Sequence, residues 1–164
     1  METSHSDSSL PVEHRQQKTA LQTRNEYDAL VEAIQRLETA LASAAPGRER
    51  DWNERVVENL RAVANLLEEH VRSADAADGL LADIETTRPA LLHRVERLRQ
   101  EHRNLLQQTR ALHRQIEHLG EGELPDFRDV RHRTTWLLNY LRHHQAIEAD
   151  LIFEAFCRDV GVGD

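Results

Sequence analysis

From Leu91 to Leu119 the chain places an apolar side chain every three or four residues, at Leu91, Val95, Leu98, Leu105, Leu112, Ile116 and Leu119, with His102 and Thr109 in the same register. A strand alternates with period two, so this spacing over such a length fits only a helix with one buried face. Three more segments carry the pattern. The first, Leu21 to about Ala45, holds Tyr27, Leu30, Ile34, Leu37 and Leu41, and Pro46-Gly47-Arg48 stops it. The second begins near Asp51, a fitting N-cap, and carries Val56, Leu60, Val63, Leu67 and His70. It weakens through Ser73 to Gly79, where Gly79 suits a C-cap, and Leu80, Leu81 and Ile84 are expected in a short turn that plugs that end. Thr87-Arg88-Pro89 opens the third helix, with the threonine as cap and proline in the first turn. Gly120 to Pro125 reads as a loop that Asp126 ends by capping a fourth helix, whose inward face is Leu137, Leu141, His144, Glu148, Leu151 and Ala155. Short connections at 46–51 and 120–125 imply an all-α, up-down-up-down antiparallel four-helix bundle over residues 21–159. Residues 1–20 are expected to form a disordered polar tail, and 160–164 a short C-terminal one.

Composition narrows the function classes. A chain of 164 residues, 39% hydrophobic, suffices for one domain with a core. No apolar run reaches the roughly 18 to 20 residues that cross a bilayer, so no membrane partner is expected. The N-terminal METSHSDSSL lacks the basic start and apolar stretch of a secretory signal, and a cytoplasmic location follows as the expectation. Cys157 is the sole cysteine, which excludes an internal disulfide. A net charge of −8 speaks against a nucleic-acid partner. No glycine-rich nucleophile elbow or phosphate loop occurs, and no catalytic residue is assigned. Trp52 and Trp136 lie on outer faces, either inside the domain or at an interface, and the oligomeric state stays open.

The ten histidines sort by helical phase. His5 and His14 fall in the tail, and His93, His113, His118, His132 and His143 lie off the inward stripes, where solvation is expected. His143 is placed to support His144 from outside. His70, His102 and His144 instead follow Val63, Val95 and Leu137 by seven residues, and Tyr27 precedes Ile34 by seven, so all four point inward. Their heights agree too. Tyr27 and His70 lie 21 and 22 residues either side of Arg48, and His102 and His144 lie 20 and 22 either side of Gly122. At about 1.5 Å per residue, all four fall within about 3 Å of one plane. Glu148 lies four residues after His144, on the same face, while Asp75 lies five after His70, at the edge of the layer. Imidazoles and carboxylates converging in an apolar interior are costly unless satisfied, and a metal is the commonest thing that satisfies them.

These residues resemble the hemerythrin-like family (the HHE cation-binding domain), four-helix bundles that hold a non-heme di-iron centre. The likeness covers roughly residues 24–157, through Leu67-Glu68-Glu69-His70, Leu98 to Leu106 (LRQEHRNLL) and His144 to Phe153 (HQAIEADLIF). It implies His70, His102, His144 and Glu148 as metal ligands. The family's first-helix histidine is replaced by Tyr27, and its second-helix glutamate by Ala74, with Asp75 next door as a substitute. A second third-helix histidine would fall at Leu106. The remaining set serves one iron or zinc ion, or a distorted iron pair with Tyr27 as a phenolate ligand.

The function so implied is that of a non-heme iron protein which binds, senses or detoxifies oxygen, peroxide or nitric oxide, with a small gaseous or peroxide ligand as its partner. The alternative is a metal-free bundle acting as an interaction or scaffold module, its polar layer closed into a hydrogen-bond network. Metal content and a metal-dependent melting temperature separate the two.

Overall fold

The computed structural model describes residues 12–43, 47–119 and 126–157. Among them there are five α-helices and no strand: α1 (Val12–Ala42), α2 (Glu49–Ala74), α3 (Leu80–Thr87), α4 (Leu92–Leu119) and α5 (Phe127–Phe156). A 3-10 turn, Pro89–Leu91, leads into α4. The molecule is all-α, as the periodicity requires.

The inward stripes are buried as expected, from Leu30, Ile34, Leu37 and Leu41 on α1 to Leu137, Leu141, Leu151 and Ala155 on α5. Helix ends differ more. The backbone of α1 begins at Val12, ahead of Leu21 and inside the stretch expected to be disordered. From Glu13 to Ala20 the chain has no glycine or proline and is rich in Glu, Arg, Gln and Lys, so a helix anchored further on by its apolar face extends back without a stripe. The remaining tail residues and the loop at 120–125 lie outside the described residues. Arg48, not Asp51, precedes α2 and makes no side-chain cap bond. Asp51 instead joins Glu49 in the first turn, where carboxylates complement the helix dipole. Thr87 ends α3 with its hydroxyl donating to the Asp83 carbonyl (2.8 Å), and Arg88 stands between α3 and Pro89. Asp126 does cap α5, its side chain accepting from the Arg128 N–H (2.9 Å).

Gly79 is not a left-handed C-cap. Its φ is −83°, and it is the residue from which α3 starts. A Cβ there would stand 2.3 Å from the Ser73 carbonyl oxygen and 2.8 Å from that of Ala74, so glycine is required by close backbone approach. The plug expected from Leu80, Leu81 and Ile84 is thus a helix, with all three side chains buried.

Helix α1 packs on α2, α2 on α4, α4 on α5 and α5 on α1, while α3 lies against α1, α2 and α4. Ion pairs link the same neighbours. Arg61 meets Glu117 and Arg110 meets Glu68 between α2 and α4, with partners running in opposite order along the two helices. Between α4 and α5, Arg94 pairs with Asp150 and Glu154, while Arg133 reaches Gln115. Most of these are solvent-exposed, where water screens the charges and the pairs add little to stability. Burial does the main work.

That burial falls into two apolar clusters. The larger one joins α1 to Trp52, Val56, Leu60, Val63 and Leu67 of α2, Leu105 to Ile116 of α4, and Val130 to Leu141 of α5. The smaller one, under α3, gathers Ala74, Leu80, Leu81, Ile84, Leu91, Val95, Leu98, Leu151 and Ala155. On α4 and α5 the division falls at His102 and at His144 to Glu148, and on α2 it falls just after His70. A polar layer therefore cuts the core in two.

Candidate metal centre

Three helices deliver the layer. α2 brings His70 one turn before its end, α4 brings His102 from its first half, and α5 brings His144 and Glu148 one turn apart. Exposure of the four is 1%, 0%, 1% and 1%, respectively. The His102 ring centre lies 5.7 Å from that of His70 and 4.9 Å from that of His144, both edge-on. One ligand nitrogen from each imidazole lies within 4.8 Å of the others. Tetrahedral coordination at about 2.1 Å sets nitrogens about 3.4 Å apart, so closure needs about an ångström of side-chain adjustment.

Each ring has a carboxylate beside it. Asp75 Oδ1 lies 2.9 Å from His102 Nδ1, and Glu101 Oε2 lies 3.3 Å from His144 Nδ1. Glu148 Oε1 lies 3.1 Å from His70 Nε2, within ion-pairing range but not aligned as a hydrogen bond. The consequence is directional. With Nδ1 committed, the free nitrogens of His102 and His144 are their Nε2 atoms, and both are buried with no protein partner. An orphaned buried polar atom costs about 1–3 kcal/mol.

Electrostatics follow from the contacts. Burial alone would lower the His70 pKa, but contact with Glu148, its charge, and those of Glu26 and Asp75 outweigh burial and raise it. Glu148 shows the reverse. Burial would raise its carboxyl, while the contact with His70 and the charges of His70, His144 and His102 hold it below the ordinary carboxylate range. His144 is pushed down, first by burial and then by repulsion from His102. A neutral imidazole is the metal-ligating form.

The residues expected from sequence are partly reunited. His70, His102, His144 and Glu148 share the layer. Asp75 is the C-cap of α2, where the helix has ended, and from there it backs His102. Tyr27 is half-buried on α1, and its phenol is pushed up by burial and then by the charge of Glu148. Support for His144 comes from Glu101, while His143 is exposed. His93, His118 and His132 are exposed as expected, but His113 is half-buried, 3.8 Å from Glu117, with burial lowering its pKa. Trp52 is buried, its ring centre 4.2 Å from that of Phe127 and tilted 43° to it, whereas Trp136 is exposed.

Sequence reasoning missed Glu101 and Glu26. Each directly precedes an inward residue (His102 and Tyr27), about 100° off the stripe, where a helix flank reads as solvent-facing. Only the approach of a neighbouring helix turns such a flank toward the layer. The donor set itself, imidazole nitrogens with carboxylates behind them, suits a divalent transition metal. The chain matches no protein-family model, no curated protein and no solved structure among those compared with it.

Proposed function

We propose that the protein is a hemerythrin-like metal-binding protein: an up-down-up-down four-helix bundle that holds one iron or zinc ion on His70, His102 and His144. The observation that carries this reading is the pair of buried, unpartnered Nε2 atoms of His102 and His144 beside His70. The opposed order of contacts along α2 and α4, and along α4 and α5, supports the antiparallel topology. A single ion is favoured over a pair because Ala74 and Leu106, neither able to coordinate, hold two positions at which the family supplies ligands. Glu148 is the neighbouring carboxylate, available as a fourth ligand or as a proton acceptor beside it.

A bound ion would supply Lewis acidity and, if iron, redox exchange with a small oxygen or nitrogen-oxide ligand. The chain's own part is to bind and to exclude water. The apolar clusters either side keep the layer dry, and Tyr27 on α1 is the nearby hydroxyl able to donate to an incoming polar ligand. The metal-free scaffold reading has less support, since a closed hydrogen-bond network would leave no orphaned Nε2. No helix among the described residues is long and apolar enough to cross a membrane.

Elemental analysis of protein produced with iron and with zinc tests the proposal. About one metal per chain is expected, lost in His102→Ala and in His144→Ala, with saturating metal raising the melting temperature of the unsubstituted protein. Metal content near zero under both conditions, with no thermal shift, would falsify it.

A further inference from the structure

We infer that Asp75 and Glu101 are positioning residues for a metal rather than ligands, fixing His102 and His144 as Nε2 donors from two different helices. This rests on the metal-binding reading above and says which atoms do the binding.

A neutral imidazole exists as two tautomers, and only the one with its proton on Nδ1 offers Nε2 as a ligand. Asp75 Oδ1 at 2.9 Å and Glu101 Oε2 at 3.3 Å from the Nδ1 atoms select that tautomer in each ring. They also set ring rotation, because an N–H donating to a fixed carboxylate cannot swing freely. The opposite ring edges are buried and unpartnered. A carboxylate behind a ligating imidazole also makes that nitrogen a better electron donor.

Neither carboxylate is placed as a ligand in its own right. The Asp75 side chain is a quarter exposed and that of Glu101 is 14% exposed, both at the rim, whereas the nitrogens that converge belong to wholly buried rings. Glu101 also holds the α4 guanidinium of Arg97 at 3.4 Å, which anchors it on the outer side. The two contacts run in series across the helices. Asp75 at the end of α2 supports a ring on α4, and Glu101 on α4 supports a ring on α5. Each support thus ties two helices together at the layer, so the rings of α4 and α5 are held in a fixed relation to each other and to the end of α2.

Zinc is the probe for the test. Its dissociation constant would be measured by chelator competition on the full chain, alongside Asp75→Ala, Glu101→Ala and Asp75→Asn, with melting of the metal-free forms as the folding control. Long-range proton–nitrogen NMR reports the tautomers directly. Each alanine change should weaken zinc by about 10- to 100-fold and release the Nδ1–H preference of its own histidine only. Asp75→Asn keeps an acceptor oxygen and should retain the His102 tautomer with a smaller loss of affinity. Unchanged affinity in both alanine variants, or Nε2–H tautomers in the unsubstituted protein, would overturn the assignment while leaving metal binding intact. Absence of zinc and iron uptake by the unsubstituted protein would instead remove the metal reading on which it rests.

Discussion

His70 and Glu148 carry opposite pKa shifts: burial opposes both charges, and each side chain, almost wholly buried, is the other's main counter-charge. The sign of the pH dependence follows. His70 is raised, so its contribution to stability is complete below its unfolded value of about 6.5 and is lost as pH climbs through the folded value. Glu148 is lowered, so its contribution is present above about 4.3 and is lost as pH falls through the folded value. Between those limits both act together. In metal-free protein, Glu148→Gln should therefore lower the urea midpoint most at about pH 5.5 and much less at about pH 8.5. The Glu148 charge also raises His144 against the depression caused by burial, so its loss adds in the same direction. A deficit that grows toward alkaline pH would mean that the pair is not charged in the folded protein. With zinc bound the trend should invert, because imidazoles must be deprotonated to coordinate.

At the level of the helices, the junction between α2 and α3 is where fold and site are joined. Gly79→Ala would drive a Cβ against the carbonyl oxygens of Ser73, Ala74 and Ala76, two of which belong to the last turn of α2. Relief must move that turn, and Asp75 moves with it. The substitution should cost about 1–3 kcal/mol and also weaken zinc binding, read by urea denaturation and chelator competition. Asp126→Ala makes the contrast. It removes the cap of α5, distant in sequence from the layer, and should cost about 1 kcal/mol with zinc affinity unchanged. Equal effects of the two changes on zinc would show that affinity merely tracks stability. This junction also marks how far the sequence could be read. The apolar stripes of α2, α4 and α5, with His70, His102, His144 and Glu148 in register, were legible because burial repeats with the helical turn. Gly79 was misread because a glycine after a helix fits a C-cap and a close backbone approach equally well, and only packing decides. Asp75 and Glu101 lie off the stripes, so their function depends on how neighbouring helices are rotated. The start of α1 was hidden because the sequence of its first turns carries no apolar stripe, and a pattern of apolar spacing cannot reveal a helix without one.

Across the whole molecule, the layer is a defect in an otherwise continuous core. Two apolar clusters that would merge are parted by three imidazoles and a carboxylate, several of whose polar atoms have no partner. Buried ionisable groups exchanged for apolar ones of similar volume commonly leave a protein as stable or more so, by about 1–4 kcal/mol. The combined variant His70→Leu, His102→Leu, His144→Leu and Glu148→Met should then fold, and should melt above the metal-free parent. For a chain of this size, about 1 kcal/mol corresponds to about 2–4 °C, so a rise of several degrees is expected. Zinc should not move its melting temperature, whereas the parent should climb toward it or past it as metal is added. Calorimetry of both proteins with and without metal reads all four values. Should the apolar variant melt below the metal-free parent, the layer would be supporting the fold through its own contacts, as a scaffold module requires. If the parent gains stability only when metal is present, the cost of the layer is offset by binding, and the site rather than the core explains why polar groups occupy leucine positions.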